Sequence, residues 1–176
     1  MSGITIWITG LSASGKTTIA AEAARQLDAM GTTPFILDGD ALRTGLNADL
    51  GFSRADRQEN VRRVGEVALL LADAGQVVLV PLISPYRADR DRVRTRHAEH
   101  GVRFVEVYLD VPIEVCEGRD PKGLYARARA GQLEHFTGVD DPYEPPLHAE
   151  LSITPGATAA DDAARLVAHV RAEIPR

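Results

Sequence analysis

One stretch of this sequence has a spacing that dictates a chemistry: Gly10-Leu11-Ser12-Ala13-Ser14-Gly15-Lys16-Thr17, followed by Thr18. Glycine, four residues, glycine, lysine and threonine is the spacing of a phosphate-binding loop. The glycines let the backbone curl until successive amides point inward at a phosphate chain, and the helix that follows adds the partial positive charge of its N-terminus. In that frame Lys16 reaches the β- and γ-phosphates of ATP, and the Thr17 hydroxyl binds Mg2+. Ordinary residue frequencies would produce such a match in roughly one per cent of chains this long. Here it also falls between a predicted strand and a predicted helix, where the mechanism needs it.

The loop alone does not separate kinases from GTPases or motor ATPases. No Asn-Lys-x-Asp or Thr-Lys-x-Asp guanine-reading segment follows a later strand, and motors are usually longer than 176 residues. A small-molecule kinase is the favoured class, with a basic lid that closes to exclude water. Two further groups could serve the acceptor. Asp38-Gly39-Asp40-x-x-Arg43 follows the second predicted strand, at the carboxyl edge where open α/β sheets bind ligands. Its two acids suit a position near Mg2+ or an acceptor hydroxyl, although an ordinary Asp-Gly turn also accounts for them. Phe52, Arg57 and Asn60 could grip a base, a phosphate and a sugar, since Arg57 and Asn60 share a helix face. A solvated charged helix with Phe52 stapled into the core explains that pattern equally well.

The elements that must position these groups alternate. Strands are expected over Ile4–Thr9, Pro34–Leu37, Val77–Ile83, Phe104–Leu109 and Leu151–Ile153. Helices are expected over Lys16 to about Met30, Ala41–Leu46, Ser53 to Ala74, Arg87–His100, from Pro112 to about Arg119, and from Thr158 to Ile174. Ser53-Arg-Ala-Asp56 and Thr158-Ala-Ala-Asp161 have capping-box spacing. Residues 120–146 are polar, then proline-rich, and read as a mobile lid with room for one short helix. The expected fold is α/β: one domain over residues 1–176, with a five-stranded parallel sheet, helices on both faces and an inserted lid.

Hydrophobic residues make up 44 % and charged residues 26 % of the chain, as in ordinary folded domains. A formal net charge of −5 argues against a protein that coats nucleic acid. The single cysteine, Cys116, excludes an intrachain disulfide and suggests a reducing compartment. No apolar run is long enough for a membrane span, and the N-terminus reads as a strand rather than a signal peptide, so a cytoplasmic location is expected. His97, His100, His135, His148 and His169 lack metal-ligand spacing and are expected at the surface, while Trp7 is expected in the core.

Taken together, the motifs resemble those of the adenylyl-sulfate kinases, a family of P-loop kinases. The resemblance rests on the phosphate loop, Asp38-Gly-Asp-Ala-Leu-Arg43, Gly51-Phe-Ser-Arg-Ala-Asp-Arg57-Gln-Glu-Asn60 and Ile83-Ser-Pro-Tyr-Arg87-Ala-Asp-Arg90. It continues through Arg119-Asp-Pro-Lys122-Gly-Leu-Tyr125 and Phe136-Thr-Gly-Val-Asp-Asp-Pro-Tyr143-Glu. It implies a three-layer P-loop NTPase fold and transfer of the ATP γ-phosphate to the 3′-hydroxyl of adenosine 5′-phosphosulfate. It also implies roles. Phe52 and Phe136 would sandwich the acceptor adenine. Arg43, Arg57 and Asn60 would hold the phosphosulfate, with Asp40, Ile83, Ser84, Lys122, Gly123 and Leu124 around the same pocket. Asp38 would serve as catalytic acid/base or metal-positioning group beside Lys16, and Arg119 would lie by the ATP. A homodimer, and association with ATP sulfurylase, are likewise implied.

Two departures from the family pattern are Ala13, where a loop glycine is common, and Pro81, where a small residue is usual just before Ser84. Many free-standing members also carry an N-terminal extension, whereas this first strand is expected to begin almost at Met1. The rival readings are a P-loop kinase for another small acceptor and a catalytically silent nucleotide-binding partner. The second would be expected to lack Lys16, Thr17 or Asp38, and all three are present.

Overall fold

The computed structural model describes residues 3–156 and 158–173. Strand β1 (Ile4–Thr9) is buried throughout. Its alternation divides the core: Ile4, Ile6 and Ile8 join one hydrophobic cluster and Trp7 the other. Parallel strands pair on both of its edges, β3 (Val77–Pro81) on one side and β4 (Arg103–Leu109) on the other. With β2 (Phe35–Ile36) beyond β3 and β5 (Leu151–Ile153) beyond β4, the sheet order is β2-β3-β1-β4-β5. A parallel sheet needs a crossover after each strand, so every strand delivers its loop to the same edge.

Helices cover both faces. On one side α1 (Lys16–Ala29) contributes Ile19, Ala20, Ala23 and Leu27, and α7 (Ala159–Glu173) adds Leu166, Val167 and Val170. On the other, α3 (Arg54–Asp73) and α4 (Arg87–Glu99) lie over Trp7, Val78 and Val80. Both capping boxes form: Asp56 N donates to Ser53 Oγ at 3.2 Å, and Asp161 N to Thr158 Oγ1 at 3.1 Å. The expected end of the last helix at Ile174 lies outside the described residues.

Several expectations need correction. The second strand is a two-residue exposed edge; after it, Leu37 still donates to Leu79 O at 2.9 Å and turns inward. Strand β3 stops at Pro81 rather than Ile83. Proline offers no N–H to a neighbour, and Ser84 adopts a left-handed φ of 41° that ends the extended run. Helix α2 (Gly39–Leu42) begins earlier than expected because the Asp38 side chain accepts from Asp40 N and Ala41 N and caps it. Pro112 is the residue ahead of α5 (Ile113–Arg119), not part of its first turn. His97 is fully buried, bonded to Thr5 Oγ1 and to Val93 O, and burial lowers its pKa. Cys116 is buried in the α1-side core.

Residues 120–146, expected to be loose, are pinned along their length. Helix α6 (Leu124–Arg129) buries Tyr125, whose hydroxyl donates to Ser12 O at 3.0 Å. At the far end Glu144 N donates to Pro85 O at 2.8 Å, and Glu144 Oε2 accepts from Arg87 N at 2.8 Å.

The α3–α4 pairing depends on one close approach. A Cβ at Gly65 would lie 2.7 Å from Val93 Cγ2, and Val93 is buried and β-branched, with little freedom to yield. Gly65→Ala would gain about 1 kcal/mol of helix propensity, but overpacking costs about 1–3 kcal/mol. The expected outcome in urea denaturation is a net loss of about 1 kcal/mol, relieved in the Gly65→Ala/Val93→Ala double variant. A gain in stability from Gly65→Ala alone would show that this contact is not tight.

Candidate active site

The loop between β1 and α1 curls as its sequence demands. Gly15 takes φ 99° at the start of α1, and Ala13 also sits in the left-handed region at φ 58°. For a residue with a Cβ that conformation costs about 1–2 kcal/mol. Lys16 turns back over the loop: Nζ donates to Leu11 O at 2.6 Å and Gly10 O at 3.0 Å, and lies 3.4 Å from Ser14 Oγ. Burial pulls its pKa down to about 8. The ammonium is therefore poised, bonded only to dipoles, where a polyphosphate would give it a full counter-charge.

Asp38 connects the loop to the next strand. Its Oδ2 accepts from Thr17 Oγ1 at 2.9 Å while Oδ1 holds the amides of Asp40 and Ala41 at 2.9 and 3.2 Å. Two oxygen donors thus lie side by side at the base of the phosphate loop. Asp40, two residues on, is ion-paired with Lys122.

Opposite them are two guanidiniums in an unusual state. Arg43 is partly buried and donates to Leu50 O and Gly51 O at 3.2 and 3.1 Å. Arg57 is buried and donates to Phe52 O at 3.1 Å and His135 O at 2.6 Å. Both stack on the Phe52 ring, at 4.3 and 5.5 Å from its centroid. Burial lowers the pKa of each. Among the described residues neither lies in an ion pair. Backbone carbonyls take up only part of each guanidinium's N–H capacity, and the nearest carboxylates, Asp40 and Asp56 for Arg43 and Asp140 and Asp141 for Arg57, do not pair with them directly, which leaves both cations receptive to an anion.

These groups line one cleft of about 990 Å³. Of the residues expected to contact ligands, all reach it except Gly10, Leu11 and Gly123. Gly10 works through its carbonyl on Lys16, Leu11 faces a shallower hollow beside Ile113, and Gly123 starts α6 at φ 63°. Phe52 is 54 % exposed, so it is no staple into the core. Phe136 packs edge-on against Tyr125, with centroids 4.9 Å apart. Asn60 is buried, its Oδ1 accepting from Asn47 Nδ2 at 2.9 Å. Pro81 pairs opposite Ile8 at the strand end, and Ser84 beyond it is buried, accepting from Trp7 Nε1 at 2.9 Å.

Sequence reasoning missed one part of this surface and one residue behind it. The cleft extends past Arg119, which lies 3.4 Å from Ala13 O, to Pro155, Gly156 and Thr158 after β5. The buried carboxylate of Asp162 holds Gly156 N at 3.0 Å there. Nothing in that short segment signals a ligand; only the sheet order brings it beside the phosphate loop. The other omission is Thr9, an unremarked strand residue whose hydroxyl meets Ser84 and Tyr143.

The family model for adenylylsulphate kinase matches residues 2–154. The chain is 58 % identical over 151 residues to adenylyl-sulfate kinase 1, chloroplastic, of Arabidopsis thaliana, covering 86 % of this chain and 54 % of that one. It is 52 % identical over 165 residues to the bifunctional enzyme CysN/CysC of Mycobacterium tuberculosis, covering 94 % of this chain and 27 % of that one. The chain thus spans about a quarter to a half of the length of these relatives. The solved Mycobacterium tuberculosis APS kinase CysC in complex with AMPPNP and APS superposes with a TM-score of 0.94 at 50 % identity, over 97 % of this chain and 98 % of that one. With the motifs, the P-loop sheet and the cleft all in agreement, the chain belongs to the adenylyl-sulfate kinase family.

Proposed function

We propose that the protein is an ATP-dependent adenylyl-sulfate kinase that transfers the γ-phosphate of ATP to the 3′-hydroxyl of adenosine 5′-phosphosulfate, yielding 3′-phosphoadenosine 5′-phosphosulfate and ADP in sulfate assimilation. The observation that carries the reading is the pair of guanidiniums without a direct ion-pair partner, Arg43 and Arg57, on an exposed phenyl ring across the cleft from a phosphate loop. A purine bearing a 5′-phosphosulfate offers a flat base for the ring and an anion for the charges. A neutral sugar acceptor would leave both cations unanswered. The kinship with a structure solved with AMPPNP and APS supports the same assignment.

In this mechanism the loop amides of residues 11–18 cradle the ATP phosphates, and Lys16 exchanges its carbonyl partners for the β- and γ-oxygens. Phosphoryl transfer is catalysed by positioning and charge neutralisation more than by covalent chemistry. Thr17 Oγ1 and Asp38 Oδ2, 2.9 Å apart, fit a Mg2+ ion, which takes few protein oxygens and completes its shell with phosphate and water. When bound, that ion would neutralise charge on the β- and γ-phosphates. Asp38 is held from both sides, by Thr17 and by its capped amides, so its carboxylate stays within reach of the acceptor hydroxyl to orient it and accept its proton. Arg119 and the Pro155–Gly156 turn would border the ATP base. Residues 120–146 would act as a lid: Lys122 is ion-paired to Asp40 and Arg57 is bonded to His135 O, so both contacts join the lid to the body of the site. Phe136 then completes the base sandwich opposite Phe52.

A homodimer, a cytoplasmic location and association with ATP sulfurylase complete the proposal. That a relative carries the matching region within a bifunctional enzyme supports the last of these. No described helix is long and apolar enough to cross a membrane.

Three tests follow from this reading. In a coupled ADP-release assay with Mg-ATP, release should depend on micromolar adenosine 5′-phosphosulfate, and Asp38→Ala should slow it about 10²- to 10⁴-fold. Phe52→Ala should raise the acceptor KM by about 5- to 150-fold, the equivalent of about 1–3 kcal/mol of stacking. ADP release with a different acceptor only would sink the substrate assignment.

The second test concerns Lys16. Its pKa of about 8 means that the free protein has partly lost this charge above that pH, while bound polyphosphate restores it. ATP binding should take up protons, and affinity should fall as pH rises above about 8. Calorimetry in buffers of different ionisation enthalpy reads the uptake directly, and Lys16→Arg should abolish it, because arginine keeps its charge. Third, sedimentation velocity should show a dimer, and a larger species with ATP sulfurylase; a monomer unaffected by the sulfurylase would overturn both assembly proposals.

A further inference from the structure

Thr9 lies at the last residue of β1, fully buried, one position before the phosphate loop, and it touches none of the cleft. Its hydroxyl nevertheless joins three segments of the chain. Thr9 Oγ1 is 2.7 Å from Ile83 O, 3.1 Å from Ser84 Oγ and 3.0 Å from Tyr143 Oη. The donors can be assigned from valence alone. Ile83 O can only accept, so the single Thr9 proton goes there. The Tyr143 hydroxyl must then donate to Thr9, and the single Ser84 proton is divided between Thr9 Oγ1 at 3.1 Å and Leu82 O at 3.3 Å. Trp7 Nε1, which can only donate, fills a lone pair of Ser84 Oγ at 2.9 Å. Thr9 and Tyr143 therefore have fixed donor roles, while Ser84 holds its one proton between two acceptors.

The segments so joined are those the acceptor side is built on. Ser84 sits in a left-handed conformation at φ 41°, a strained geometry for a residue with a Cβ, and it persists only because its surroundings hold it. Tyr143 belongs to the distal leg of the lid, downstream of Phe136. A second clamp runs beside the first. The buried Arg90 guanidinium donates to Glu106 Oε1 at 2.6 Å and to the carbonyls of Ser84 and Glu144, each at 2.7 Å. The Ser84 turn and the lid leg are therefore tied to each other and to the sheet, while the phosphate loop keeps its own hydrogen bonds.

We propose that Thr9 is a positioning residue for the acceptor: its hydroxyl locks the Ser84 turn and the Tyr143 leg of the lid to the end of β1, so that the lid swings from a fixed distal root. The inference rests on the adenylyl-sulfate kinase reading above. Burial pushes the Tyr143 phenol far above its ordinary pKa, so it stays a donor throughout the working pH range.

The test is a comparison of Thr9→Val, Thr9→Ser and Tyr143→Phe in the full chain, with the two Michaelis constants measured separately. Thr9→Val keeps the shape and removes the hydroxyl. It should raise the acceptor KM about 10-fold while the ATP KM stays within about twofold, from the loss of one to two net hydrogen bonds. Thr9→Ser restores the hydroxyl and should return close to wild type, and Tyr143→Phe should give an intermediate rise of about threefold. A merely structural role would lower the melting temperature and move both constants together. That result, or no change in either constant, would overturn the proposal.

Hydrogen exchange of residues 134–142 in the ligand-free protein separates this inference from the choice of acceptor. Faster exchange in Thr9→Val supports the fixed root even if the wild type ignores adenosine 5′-phosphosulfate, and unchanged exchange refutes it. Should Thr9→Val fail to fold, Tyr143→Phe decides by the same two readouts.

Discussion

Strand β1 is paired on both edges and covered on both faces, and this double burial constrains the rest of the molecule. Its side chains have no solvent face to turn to, so the register of β3 and β4 against it is set by packing on both sides. Because the strands are parallel, their ends come out together. The phosphate loop, Asp38, the Ser84 turn and the Pro155–Gly156 segment consequently meet at one edge, although they are spread over most of the chain. The site follows from a topological requirement: parallel strands must be joined by crossovers, and crossovers return every strand end to the same side.

Within that edge the electrostatics are deliberately incomplete. The scaffold pairs its own charges: Arg90 with Glu106, Arg94 with Glu150, Arg63 with Asp49 and Glu59. The site does the opposite. Lys16, Arg43 and Arg57 are given carbonyl partners instead of a directly paired carboxylate. Burial lowers the pKa of all three, outweighing the nearby carboxylates, as expected for cations held without a direct ion-pair partner. Such an arrangement costs stability in the empty protein and returns it on binding of anions, so affinity and selectivity share one origin.

The region expected to move is attached unequally. Its proximal half is anchored at one buried point, Tyr125, whose hydroxyl donates to Ser12 O, and otherwise meets the body through exposed contacts such as the Lys122–Asp40 pair, which water and salt weaken. Its distal leg is held by the buried Thr9 hydroxyl and the Arg90 guanidinium. Buried hydrogen bonds are costly to leave unmade, because no water replaces the lost partner.

Local chemistry was legible from the residues alone. Glycine spacing and the lysine–threonine pair identified the phosphate loop, the continuous apolar runs identified buried strands, and Ser53 and Thr158 marked two helix starts, because each of these depends on neighbours a few positions away. What failed was whatever depends on distant partners. His97 looked like a surface residue in a charged helix until Thr5 of β1 supplied its bond from the sheet beneath. The polar 120–146 segment looked free until Tyr125, Tyr143 and Glu144 found acceptors and donors far away in sequence. Thr9 carries no sequence signal at all, since a threonine in a strand is ordinary. The sequence by itself determined the spacing of the phosphate loop and the order of elements along the chain. Tertiary structure alone decided which charges stay without a direct ion-pair partner and where the lid is rooted, because burial and long-range hydrogen bonding exist only once distant segments meet.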